Sequence, residues 1–169
     1  LISEFGGDPH EIMQSCNISN VDFKNLDNQY LPYRDYAELL EYCACKFNCS
    51  SFGLKLASRQ NFDILGHIAI AAKSSTNLGD ALNWVIKYLY LHSPALSLNS
   101  HPLENDKSLF LSFEINLKPL PHINQVIELT IGLALAVIKK LSNNRCKPIN
   151  IFLPKKLSTI TRAYNTYFG

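Results

Sequence analysis

An α+β fold follows from three features of this sequence. Apolar residues recur at three- and four-residue spacing along Tyr33–Phe47, Leu78–Leu91 and Ile123–Leu141, the repeat expected of helices that bury a face. They alternate strictly from Leu109 to Leu117, with a shorter alternation at Leu96 and Leu98, which predicts a strand hairpin with one dry face. Glycine and proline separate these segments at Gly6-Gly7, Pro32, Pro94, Pro119 and Pro121. The expected architecture is a set of N-terminal helices packed with a small mixed sheet, a hairpin plus one strand reached by a helix crossover, around a central apolar helix.

Each element has a local reason. Leu1 to Phe5 reads as a helix end closed by Gly6-Gly7. Asp8-Pro9 opens the next helix, with aspartate as cap and proline in the first helical position, and Ile12 and Met13 inward. Asn17–Leu31 is rich in turn formers. Tyr33, Tyr36, Ala37, Leu40, Ala44 and Phe47 form one helical stripe, which Asn48 ends. Ser50 or Ser51 caps a short helix to Ala57. Another helix is expected from Phe62 or Asp63 to Ala72, followed by a cap from Ser74-Ser75-Thr76. Leu78–Leu91 has two apolar faces, Leu78/Leu82/Val85/Leu89 and Ala81/Trp84/Tyr88/Leu91, so it should be covered over most of its circumference. Glu104-Asn105-Asp106 turns the hairpin. Ile123–Leu141 carries the strongest stripe and is the candidate central helix. Ile149, Ile151 and Leu153 predict a third strand, joined to the second by a right-handed crossover, and a last helix follows Ser158.

Composition bounds the class. With 169 residues, 47% of them hydrophobic, the chain suits a single domain over residues 1–169 with a real core. Only 18% of residues are charged, against about 25% in an average domain, consistent with a surface partly covered by a partner or by further chain. Net charge is only +2, yet from Leu129 onward there are seven basic residues and no acid. Such an end leans on nucleic acid or an acidic neighbour, or is simply a solvated face. No apolar run approaches the ~20 residues of a membrane span, and no secretory signal is visible. Five cysteines, an odd number, favour reduced thiols in a cytoplasm. The chain begins at Leu1 and its sole methionine is Met13, so it reads as a piece excised from a longer polypeptide.

Catalytic chemistry finds no support. There is no G-x-S-x-G elbow, phosphate-binding glycine loop, H-E-x-x-H pair or H-x3-H pair, and the acids are scattered. Cys43, Cys45 and Cys49 invite a zinc reading, but Cys43 and Cys45 point to nearly opposite helix sides and a fourth ligand is lacking nearby. Small buried apolar roles are the default for such thiols. The candidates for small-molecule binding are His67, Trp84, Tyr88 and Glu128. Trp84 and Tyr88, one turn apart, have aromatic bodies with polar tips suited to a ligand pocket, or to core packing. His67 beside Gly66 is a polar anchor, a heme-linked histidine or an ordinary boundary residue. Glu128, an acid in the most apolar helix, meets a cationic ligand or an arginine, or lies at the stripe's edge. No cofactor or metal is called for.

The ordered set of segments Gly6–Ile18 (GGDPHEIMQSCNI), Leu31–Ala44 (LPYRDYAELLEYCA), Phe52–Arg59 (FGLKLASR), Asp63–Leu91, Pro148–Lys156 (PINIFLPKK) and the final YFG resembles the N-terminal arabinose-binding-like domain of AraC-family transcription regulators. Its cysteines and histidines lie outside that pattern. The resemblance implies a cytoplasmic bacterial sensor domain, not an enzyme. It implies an unidentified small-molecule effector, a homodimer, no membrane, and DNA contact only through a C-terminal helix-turn-helix domain absent from this chain. The alternative is a dimerisation or protein-interaction domain without a small-molecule ligand.

Overall fold

The computed structural model describes residues 1–18, 21, 29–103, 108–119, 123–154 and 162–168. Its helices and strands run in the order α1 (Pro9–Ser15), α2 (Tyr33–Lys46), α3 (Phe52–Ala57), α4 (His67–Lys73), α5 (Leu78–His92), β1 (Leu96–Pro102), β2 (Leu109–Ile115), α6 (Asn124–Leu141) and α7 (Arg162–Phe168). Helices with an antiparallel hairpin make the fold α+β, as expected. The chain divides into two compact units. One comprises residues 1–60, 120–135 and 148–169, the other residues 61–119 and 136–147. Helix α6 contributes its longer N-terminal part to the first and its last turns to the second.

In the first unit, a single 3-10 turn over Ser3–Phe5 ends at Gly6, which adopts the left-handed conformation at φ 78°. Asp8 then caps α1 by accepting from the backbone N–H of His10 at 2.9 Å, with Pro9 in the first turn. Helix α2 buries Ala37, Leu40 and Ala44 of the stripe read from its spacing, and also Leu39 and Cys43, while Tyr33, Tyr36 and Phe47 are half-buried. Phe5 stacks on Phe47 at 5.1 Å, and Phe47 on Phe52 at 6.2 Å, so aromatic rings join the chain's start to the beginning of α3.

In the second unit, the helix expected from Phe62 onward is broken. Phe62–Leu65 is a 3-10 turn and α4 starts only after Gly66, whose φ of 57° and ψ of −127° suit glycine alone. Helix α5 is capped by Asn77, not by the serines before it: Asn77 Oδ1 accepts from the N–H of Asp80 at 2.9 Å. Phe62, Ile68, Ala69, Ala72, Ala81, Val85 and Val137 form a buried cluster, with Leu65, Tyr88, Leu98 and Leu141 packed against it. The hairpin pairs Leu96 with Ile115 and Leu98 with Phe113 on one face, and Ser97 with Glu114 and Asn99 with Ser112 on the other. The alternating apolar residues share one face as expected. No residue of either strand is buried, however, and Leu109 is 45% exposed, so that face is only half-covered and not dry.

Among the described residues the sheet has two strands, β1 and β2. Residues 149–153, expected to supply the third strand of a mixed sheet, form no strand, so no crossover pairing is seen there. Pro148 and Pro154 bracket this stretch, and neither can donate a ladder hydrogen bond. Ile149 and Phe152 are 80% and 73% exposed. The expected turn at residues 104–106, most of the turn-rich segment before α2, and Ser158 with Lys155 and Lys156 lie outside the described residues.

Candidate functional site

The four candidate residues fall in different units. His67, Trp84 and Tyr88 belong to the second, Glu128 to the first.

Trp84 and Tyr88 form one surface feature. Their one-turn spacing on α5 stacks the rings, with centroids 5.1 Å apart and planes inclined by 22°. Tyr88 packs inward against the apolar cluster, while Trp84 is 43% exposed. Lys87 Nζ lies 5.2 Å from the centre of the Tyr88 ring, a cation–π contact at the same place. The pair therefore has one side anchored in the core and one open to a partner or ligand. His67 is exposed at the first position of α4, and no hydrogen bond or ring contact joins it to Trp84 or Tyr88. Further apolar side chains stand exposed on the same two helices: Ile70 on α4, and Tyr90 and Leu91 on α5.

Glu128 has a different setting. It is wholly buried, and its Oε1 accepts a hydrogen bond from Tyr164 Oη on α7. Burial pushes the Tyr164 phenol far above the ordinary tyrosine range. The hydrogen bond to Glu128, and the negative charges of Glu128 and Glu41, push it the same way. Tyr167 Oη reaches the carbonyl of Gly132 at 3.3 Å, a second tie of α7 to α6.

A polar clamp that sequence reading missed lies at the start of α6. Glu41 Oε1 accepts from the N–H of Gln125 at 2.8 Å, placing a carboxylate where the helix dipole favours one. The buried Gln125 side chain accepts from the N–H of Gly53 at 2.8 Å and donates to the carbonyl of Ser50 at 3.1 Å. Gly53 is required by this approach, since a Cβ there would sit 2.1 Å from the Gln125 carbonyl oxygen. The sequence signal was a glutamine and a glutamate inside an otherwise apolar helix. Their partners, more than 35 positions away, left no periodic trace. On α2, burial raises the Tyr36 hydroxyl to about 12 against a lowering hydrogen bond with Gln60. Burial also lifts the Tyr33 hydroxyl well above its ordinary value, opposed by a hydrogen bond with Thr130.

For the cysteines, Cys43 and Cys49 are buried and Cys45 is exposed. Among the described residues, no group of three or more His, Cys, Asp or Glu is arranged to hold a metal ion. Among the same residues, no helix is long and apolar enough to cross a membrane.

Helices and an antiparallel hairpin, with an aromatic pair at the surface and polar groups that join helices, make this an α+β chain. The chain belongs to the family of the N-terminal arabinose-binding domain of AraC transcription regulators, whose model matches residues 6–169. It is similar to the HTH-type transcriptional regulators VirS of Mycobacterium tuberculosis strains CDC 1551 / Oshkosh and ATCC 25618 / H37Rv. Each is 27% identical over 147 residues, covering 87% of this chain and 43% of the relative. The chain thus spans less than half the length of these relatives.

Proposed function

We propose that this chain is a signal-receiving domain, acting as one functional domain over residues 1–169. In it, binding of a small molecule alters how a C-terminal helix-turn-helix segment holds DNA. The observation that carries this reading is the family match over almost the whole chain, combined with the half-open Trp84–Tyr88 pair anchored on the apolar cluster. The effector is an apolar or aromatic small molecule that stacks on Trp84 and Tyr88, with His67 on α4 as a further polar contact. Glu128 enters through Tyr164: it fixes α7, the last helix described, to α6. The domain works without catalysis, metal or cofactor, in the cytoplasm where its DNA is.

A second reading is favoured by the exposed Ile70, Trp84, Tyr90 and Leu91 on α4 and α5. Apolar side chains concentrated on two helices suit a contact between two copies of this chain. The two readings are separable because Trp84 is the chain's only tryptophan and reports on its own site. A panel of apolar aromatic compounds is titrated while Trp84 emission and thermal unfolding are followed. A ligand at 100 times its Kd is expected to add about 2.7 kcal/mol of stability and to change the emission. Trp84→Ala is expected to abolish the stabilisation. Emission and midpoint that respond only to protein concentration, with no compound stabilising the fold, would reject the effector and leave self-association.

A further inference from the structure

We propose that a cleft in the unit of residues 61–119 and 136–147 binds a small multiply charged anion, a phosphate ester or a dicarboxylate. The cleft has a volume of about 570 Å³, within the range of small-molecule sites. One wall is the turn joining α4 to α5. The other is the last turn of α6 with the loop after it.

Its charge is one-sided. Lys73 comes from the end of α4, Lys140 from the last turn of α6 and Arg145 from the loop, and no carboxylate is among the lining residues. Ser75, Thr76 and Asn77 line the entry to α5, with the Ser75 hydroxyl donating to the Ala71 carbonyl at 3.4 Å. Two acids stand close by and both are engaged. Asp63 pairs with Lys73, and Asp80 accepts from Asn77 Nδ2 at 2.7 Å and from Thr76 Oγ1 at 3.4 Å. An anion therefore meets Lys140 and Arg145 first and competes with Asp63 for Lys73.

The α6 wall is built for this despite being a helix C-terminus, where carbonyls repel anions. The N–H groups of Ser142, Asn143 and Asn144 cover the carbonyls of Ile138, Lys140 and Lys139 at 2.9, 3.3 and 2.7 Å. Asn143 and Asn144 are both left-handed, at φ 50° and 60°, and turn the chain back on the helix end. Arg145 Nε is then held by the Ser142 carbonyl at 3.2 Å, leaving the Nη edge for the forked contact that carboxylates and phosphates accept. The excess of basic residues after Leu129 thus gains a local use. The cleft shares no residue with the aromatic pair, so failure of either reading leaves the other standing.

The chain is titrated with inorganic phosphate and with malonate, against chloride at matched ionic strength, by calorimetry. Alkylation of Cys146, an exposed thiol lining the cleft, is followed in parallel. Phosphate or malonate is expected to bind above the chloride background and to slow alkylation of Cys146 but not of exposed Cys45. The double substitution Lys140→Ala with Arg145→Ala is expected to weaken binding at least tenfold, and substitution of the exposed Lys118, which lines neither site, Lys118→Ala, to leave it unchanged. Binding of phosphate alone identifies a phosphate ester, and of malonate alone a dicarboxylate. Arg145→Lys keeps the charge and loses the fork, so it tests the site should the double variant not fold, with an expected loss of several-fold. Neither anion binding above chloride, or unchanged binding in the variants, overturns the proposal.

Discussion

The two units of this chain both bury apolar side chains, and among the described residues the first adds buried hydrogen bonds between distant positions. Residues 1–60, 120–135 and 148–169 are stitched by buried hydrogen bonds between residues distant in sequence: Tyr164 to Glu128, and Gln125 to Gly53 and Ser50. Residues 61–119 and 136–147 rely on apolar contact, with Ala69, Ala72 and Ala81 almost fully buried among Phe62, Ile68, Val85 and Val137. Buried hydrogen bonds demand particular partners at particular distances, and losing one leaves a desolvated polar group. Small apolar contacts tolerate exchange so long as volume is conserved. The comparison teaches that both units depend on how well their space is filled, and that the first depends in addition on particular hydrogen-bond partners.

The largest expected effect tests filling. Ile68→Ala empties part of the cluster in the second unit and should cost about 2–5 kcal/mol in denaturant unfolding. Ile68→Val should recover most of that. Next comes Gly53→Ala in the first unit. The added methyl meets backbone at 2.1 Å, which cannot rotate away, so a loss of about 3 kcal/mol is expected. Hydrogen exchange should show it most clearly in the amides of α3 and the start of α6. Tyr164→Phe removes the donor to Glu128 Oε1 while keeping the ring, at a cost of about 1–3 kcal/mol. If it proved neutral, the stitched character of the first unit would be wrong.

The smallest effect is read by pH. Burial lifts the Cys43 thiol from its ordinary 9.0 to about 11, with the neighbouring Cys16 adding to the rise and Lys46 opposing it. Above pH 9 the unfolded thiol gives up its proton while the folded one keeps it. The stability present below pH 9 is therefore lost progressively as the pH rises toward about 11. Cys43→Ala should flatten that part of the profile.

What was legible in the sequence was whatever repeats locally. The α5 face Leu82/Val85/Leu89, the alternation along β2 and the Asp8-Pro9 helix start rest on residues within a few positions of each other and are found as read. The cover expected over the second face of α5 is not, since Trp84 and Leu91 are 43% and 66% exposed. Asn77 capping α5 in place of the preceding serines is a local competition that four good cap formers in a row leave open. The break at Gly66 is a single-residue event that apolar periodicity passes over. The third strand failed because Ile149, Ile151 and Leu153 alternate without showing that any strand lies beside them. At the candidate site, the stacking of Trp84 on Tyr88 follows from their spacing. The burial of Glu128 against Tyr164 does not, because the two stand 36 positions apart and the chain runs away and back between them.

One consequence of the Gln125 clamp concerns what substitution this chain permits. The carboxamide of Gln125 behaves as a detached peptide group, offering one acceptor to the N–H of Gly53 and one donor to the carbonyl of Ser50. Glutamate has the same shape but two acceptors, so it would set like against like at the Ser50 carbonyl. Asparagine has the right functional group on a tether one methylene short. Chemical identity and reach are both specified at this position, which makes it a two-pin plug that accepts no other residue.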